Sequence, residues 1–254
     1  MFHIADQFGR QIDIELRLLR FACSHASNIA FGINYALVVA RTTDSPVAPR
    51  VSTPDIPPHL TAVAATRSAD LLAARLDLSG SVDLAYASLE QCVISANADT
   101  IDLTGATILD VDVSGVRTTA VKLRNAGIRR LRIAGGRIGT LDLSSARIDE
   151  LELRDLRIDY LSLGGAKASD ILIIDSTIKA LDMPQAELTR VAFENCRSDE
   201  VDPRGMRATD VDLRGLDANG FMDTNSLRGT TLTTFQIQQL APTIAAGLGI
   251  QVKD

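Results

Sequence analysis

Between Ile101 and Gly220 the chain repeats every ten residues. The first, third, sixth and eighth places of each block are apolar or small, as in Leu141, Leu143, Ala146 and Ile148, then Leu151, Leu153, Leu156 and Ile158. None of these places carries a charge, although 23% of the residues are charged, so the spacing marks an inward-facing set. Only Thr118, Ser176 and Ser198 bring a polar side chain to it. Steps of two within each group are strand alternation, and the steps of three between groups are corners. An α-helix needs steps of three and four throughout and cannot hold this register. Each block is therefore two five-residue units. The fifth place confirms a corner: it holds Gly105, Gly115, Asn125, Gly135, Ser145, Asp155, Gly165, Asp175, Asn195, Gly205 and Gly215, with Gln185 the exception. These residue types accept turn geometry or bond their own backbone. Aromatics make up only 4% of the chain and tryptophan is absent, which suits a regular aliphatic core.

Units such as LDLSS-ARIDE at Leu141 to Glu150 and VDLRG at Val211 to Gly215 resemble the pentapeptide-repeat family, over roughly residues 76–220. The resemblance implies an all-β fold, a right-handed quadrilateral parallel β-helix in which four pentapeptides close one coil. Seven or so coils at ~4.8 Å each would stack into a solenoid on the order of 35 Å long. The first place of most blocks is Leu, Ile or Val, where the family usually has alanine. Near the start the phase slips, with an insertion expected near Gly80 and a deletion near Ser95, so the first coil should carry a bulge.

The flanks divide into residues 1–45, 46–75 and 221–254. Residues 1–45 read either as a small appendage, with Ile12, Ile14, Leu16 and Leu18 alternating as in a strand, or as an over-extended reading frame. Five of the eight prolines lie between Pro46 and Pro58, which marks an extended linker, and Ser68 is expected to cap a brief helix through Leu72. After Phe221 the repeat stops. Thr233 and Gln236 have capping-box spacing ahead of Phe235, Ile237 and Leu240, and Pro242 suits the first turn of a second short helix. This short helical C-terminal cap reads as a lid over the last coil, with a homodimer contact as the alternative.

The sequence offers no catalytic group, cofactor site or metal site. All three histidines, His3, His25 and His59, lie outside the repeat, and the Cys23/His25 pair is two ligands short of a zinc site. Three scattered cysteines argue against a disulfide framework and favour the cytoplasm. The longest apolar run, Ile29 to Ala40, is too short for a membrane span. A net charge of -6 argues against direct nucleic-acid binding.

Charge is unevenly placed along the coils. Asp77, Asp83, Glu90, Asp99, Asp102, Asp110 and Asp112 form an acidic girdle, followed by a basic one of Arg117, Lys122, Arg124, Arg129, Arg130, Arg132 and Arg137. At a spacing of twenty, Arg117, Arg137, Arg157 and Arg197 should line one face, broken only by Thr177. Mutual compensation on a solvated surface accounts for the girdles, and these arginines with Lys122 are the candidate partner-binding set. The sequence thus points to a non-enzymatic interaction or scaffold protein for an unidentified protein partner. The alternative, implied by the resemblance, is a DNA mimic that binds gyrase and confers quinolone resistance.

Overall fold

The computed structural model describes residues 45–64 and 66–253. The strand-like alternation from Ile12 to Leu18 and the Cys23/His25 pair lie outside the described residues. The repeat folds into a parallel β-solenoid of about eight turns, closed by one C-terminal helix. Its body is β3 (Ala74–Asp83), β4 (Ser88–Asp102), β5 (Thr107–Lys122), β6 (Gly127–Asp142) and β7 (Arg147–Ser162). It continues through β8 (Lys167–Ile174), β9 (Thr177–Asp182), β10 (Glu187–Glu194), β11 (Cys196–Asp202), β12 (Arg207–Asp212) and β13 (Leu216–Ala218). Pairing is parallel throughout, and from β5 to β13 each paired residue lies beside the one twenty places later, as in Val111, Leu131, Leu151, Ile171, Val191 and Val211.

This register follows from the repeat. Of the inward places between Ile101 and Gly220, all but Val113, Gly136, Ala208 and Ala218 are buried. The three polar exceptions are satisfied inside. Thr118 donates to the carbonyls of Asp99 and Ala120, Ser198 to that of Glu200, and Ser176 donates to Ile174 O and accepts from Leu156 N–H. Every fifth-place residue expected at a corner has a left-handed φ, Gln185 included, except Gly215. Gly215 serves a different need, since a Cβ there would sit 1.9 Å from Phe193 O in the coil below.

The second place of many units has a structural task too. Asp83, Asp102, Asp142, Asp202 and Asp212 each accept the N–H two residues on, at 3.0–3.1 Å, and so lock the turn that follows. Asp142 and Asp202 are buried in consequence, so the outward, solvated position that alternation gives Asp142 is not what the structure shows.

The register slips between Gly80 and Ser81 and between Ser95 and Asn97, where the phase break in the sequence places it. Ahead of the body, β1 (Thr61–Ala62) pairs with β3 and β2 (Asp70–Leu72) with β4. The brief helix expected from Ser68 to Leu72 is thus absent: Ser68 has φ 56°, and pairing with β4 outweighs its local capping preference.

At the other end β14 (Thr230–Thr231) pairs with β12 and leads into α1 (Thr234–Gly247). The capping box forms, with Gln236 N–H on Thr233 Oγ1 at 3.1 Å and Thr233 N–H on Gln236 Oε1 at 2.7 Å. Two short helices were expected, but one helix runs through Pro242. The face laid on the last coil carries Leu240 and Ile244, while Phe235 and Ile237 are exposed. Gln236 Nε2 also donates to Leu213 O and Leu216 O, satisfying two carbonyls of the final turns. Among the described residues no helix is long and apolar enough to cross a membrane.

Candidate interaction surfaces

In a solenoid with twenty residues per coil, outward residues twenty apart stack at strand spacing, about 4.8 Å. Val116 and Thr118 point inward and leave Arg117 on the outside, and the pairing of β5, β6, β7, β9 and β11 repeats that choice. Arg117, Arg137, Arg157, Thr177 and Arg197 are consecutive rungs of one exposed column. Asp159, one column over, accepts from Lys179 at 2.7 Å and from Arg137 at 3.2 Å. Those two cations hold its carboxyl below the usual range. Among the described residues Arg117, Arg157 and Arg197 have no ion-pair partner. Neighbouring guanidinium groups at this spacing repel by only ~1 kcal/mol in water. The ladder therefore stands without a ligand.

The other candidate cations are placed differently. Lys122 lies 3.5 Å from Asp102, Arg124 pairs with Asp142, and Arg132 lies 3.7 Å from Glu152. Arg130 grips Asp110 with two bonds of 2.6 and 2.7 Å and is itself largely covered. Arg129 is exposed beside that pair, with no ion-pair partner among the described residues. Among the described residues the acidic and basic girdles meet in Lys122–Asp102 and Arg130–Asp110, while Arg124 and Arg132 pair with acids of later coils, and the ladder is the part that projects.

A second surface escaped the sequence reading. One corner column holds Asp110, Arg130, Glu150, Asp170, Arg190 and Asp210, all with left-handed φ between 53° and 69°. Side chains other than Gly, Asn and Asp rarely sit there. The proline-rich segment lies against this column. Residues 45–58 join no strand, and between Arg50 and Asp55 they follow the column, their main chain bonding its carboxylates. Arg50 N–H donates to Asp170 Oδ1 at 2.8 Å, Ser52 N–H to Glu150 Oε2 at 2.8 Å, and Asp55 N–H to Asp110 Oδ1 at 3.0 Å. Arg190 grips Asp170 as Arg130 grips Asp110, with bonds of 2.7 and 2.5 Å.

Both acids ionise readily as a result. Burial pushes the Asp110 carboxyl up, but the bonds from Arg130 and from Asp55 N–H outweigh it and hold it below the usual range. Asp170 is lowered first by its bond from Arg190, against its burial. The signal available in sequence was the charged run at a twenty-residue spacing, in a place where turn residues were due.

No family model matches the chain, and no curated protein does. Among solved structures, two trypsin-treated variants of QnrB1, described as a plasmid-mediated fluoroquinolone resistance protein, align with it at 13% identity. The alignments cover 77% and 76% of this chain and 100% and 96% of theirs, with TM-scores of 0.25 and 0.21. Scores that low decide nothing. The twenty-residue register and the five-residue sides with left-handed corners do, and they make this chain a parallel β-solenoid built from five-residue units.

Proposed function

We propose that the protein is a non-enzymatic interaction protein that receives an acidic partner protein on its arginine ladder. The observation that carries this is the ladder itself: Arg117, Arg157 and Arg197 project without ion-pair partners among the described residues, on a backbone that fixes their spacing. Carboxylates on one face of an α-helix recur every ~4.5 to 6 Å, close to the ~4.8 Å rise of the coils. An acidic helix laid along the solenoid axis would meet successive rungs. Asp159 and Asp199 beside the ladder disfavour a continuous polyanion such as nucleic acid. The cytoplasm is the compartment this reading implies, and the buried, unpaired thiols of Cys92 and Cys196 support it.

The test is capture from lysate of the source cells with the native protein and with the Arg117→Glu, Arg157→Glu, Arg197→Glu variant. A protein held by the first, released by raised salt and missed by the second supports the reading. Equal capture by both overturns it.

The alternative, a gyrase-directed DNA mimic, requires an unbroken negative face. Here the acid columns are interrupted, as Asp102–Lys122–Asp142 and Asp110–Arg130–Glu150 show. Residues 71–220 hold 24 acids but also 18 bases. The expected outcome is no inhibition of gyrase supercoiling at low micromolar protein, and strong inhibition would favour the alternative. Exposed Met222, Phe235, Leu248, Ile250 and Val252 support a homodimer contact at the cap, which analytical ultracentrifugation would reveal.

A further inference from the structure

Carboxylates stacked on a corner would be no more than an acidic cluster, but this column already holds a peptide. We propose that the column Asp110, Glu150 and Asp170 is a docking track for an extended, proline-containing segment of a partner protein, and that the chain's own residues 46–58 occupy it as a removable stand-in.

The track reads main chain. All three contacts accept backbone N–H groups, so it selects the spacing of donors and leaves side-chain identity open. Glu150 and Asp170 are one coil apart and take donors two residues apart. Asp110 and Glu150 are two coils apart and take donors three residues apart. An extended chain advances ~3.1 Å per residue, so three residues match two coils of ~4.8 Å each. Prolines at 46, 49, 54, 57 and 58 flank the donors, lack an N–H of their own and preset the extended backbone. A segment built this way loses little entropy on docking.

The track is also independent of residues 46–58, the strap that covers it. The bidentate pairs Arg130–Asp110 and Arg190–Asp170 come wholly from the coils, so the acceptors stay oriented when the strap leaves. The strap is lightly held by comparison. It joins no backbone ladder before Thr61, and Pro54 is its one buried residue. Such a segment opens locally while the coils remain folded.

The test uses the full chain. Ser52→Pro with Asp55→Pro removes two strap donors and leaves the column intact. A fluorescent peptide of residues 46–58 should bind this variant about tenfold or more tighter than it binds the native chain, where the tethered strap competes. Adding Asp110→Ala and Asp170→Ala, which removes both acceptors, should abolish that binding. Far-ultraviolet circular dichroism confirms that the coils stay folded in each variant. Absence of peptide binding to the strap variant with its coils intact overturns the proposal. So does hydrogen exchange showing the amides of Arg50, Ser52 and Asp55 in the native chain as protected as those of β6, because the strap would then be a permanent part of the fold.

Discussion

Asp142 and Leu143 are neighbours with different tasks. Leu143 is 1% exposed in the stacked core, and Leu143→Asp would bury a carboxylate with no partner, costing more than ~3 kcal/mol and unfolding the coils around it. Simple alternation makes Asp142→Leu harmless, but Asp142 accepts from Ser144 N–H at 3.0 Å and Ser144 Oγ at 2.6 Å and pairs with Arg124. Asp142→Leu should therefore cost about 1–3 kcal/mol, with Asp142→Asn milder, as measured by chemical denaturation. Equal stability of native protein and Asp142→Leu would show that the turn closes without its acceptor. Gly136 is a comparable case. It holds φ 129°, and a Cβ would sit 1.9 Å from Val116 O, so Gly136→Ala should separate β5 from β6 locally and lower stability by at least ~1 kcal/mol.

Among the elements, α1 and the strap show where a sequence speaks and where it is silent. Thr233 and Gln236 announced the start of the helix because a capping box is local. Thr233→Ala should cost about 1 kcal/mol and speed amide exchange over the first turn of α1, while β6 stays unchanged. What no local rule could show is that Gln236 also caps the carbonyls of Leu213 and Leu216, since that depends on where the last coil ends. The coils were legible from Leu141, Leu143, Ala146 and Ile148 because every turn re-imposes the same inward places. The arginine ladder was legible for the same reason, as it is a direct consequence of the period. The strap was not. Its recognition runs through main-chain N–H groups, which every non-proline residue owns, so Arg50, Ser52 and Asp55 carry no mark of it. The helix expected at Ser68 failed for the opposite reason: a local signal was present, and pairing of Asp70–Leu72 with β4 overrode it.

For the described solenoid as a whole, the charges form columns that cross every coil, so pH acts on many turns together. Asp110, Asp142, Asp170, Asp202 and Asp212 all have carboxyls held below the usual range. For Asp170, Asp202 and Asp212 the leading cause is a bond from Arg190, Arg204 and Arg214 in turn; for Asp110 and Asp142 burial opposes the shift and the bonds outweigh it. A depressed folded value means that the unfolded chain takes up protons first. The stability these groups contribute is present above the unfolded value, about 3.9, and drains away as the pH falls toward the folded values. The alkaline side has another source. Burial pushes the Cys92 and Cys196 thiols up, ahead of the backbone bonds that oppose it, so the fold favours the neutral thiol. Their contribution is complete below the unfolded value, about 8.5, and is lost as the pH rises through the folded one. Denaturation midpoints should thus be level between about pH 5 and 8, fall below about 4, and begin to fall again above about 8.5. Asp110→Asn with Asp170→Asn should flatten part of the acid arm, and Cys92→Ala with Cys196→Ala should remove the first stage of the alkaline arm. Arms unchanged from those of the native protein in these variants would show that the pH response arises elsewhere than in Asp110, Asp170 and the two thiols.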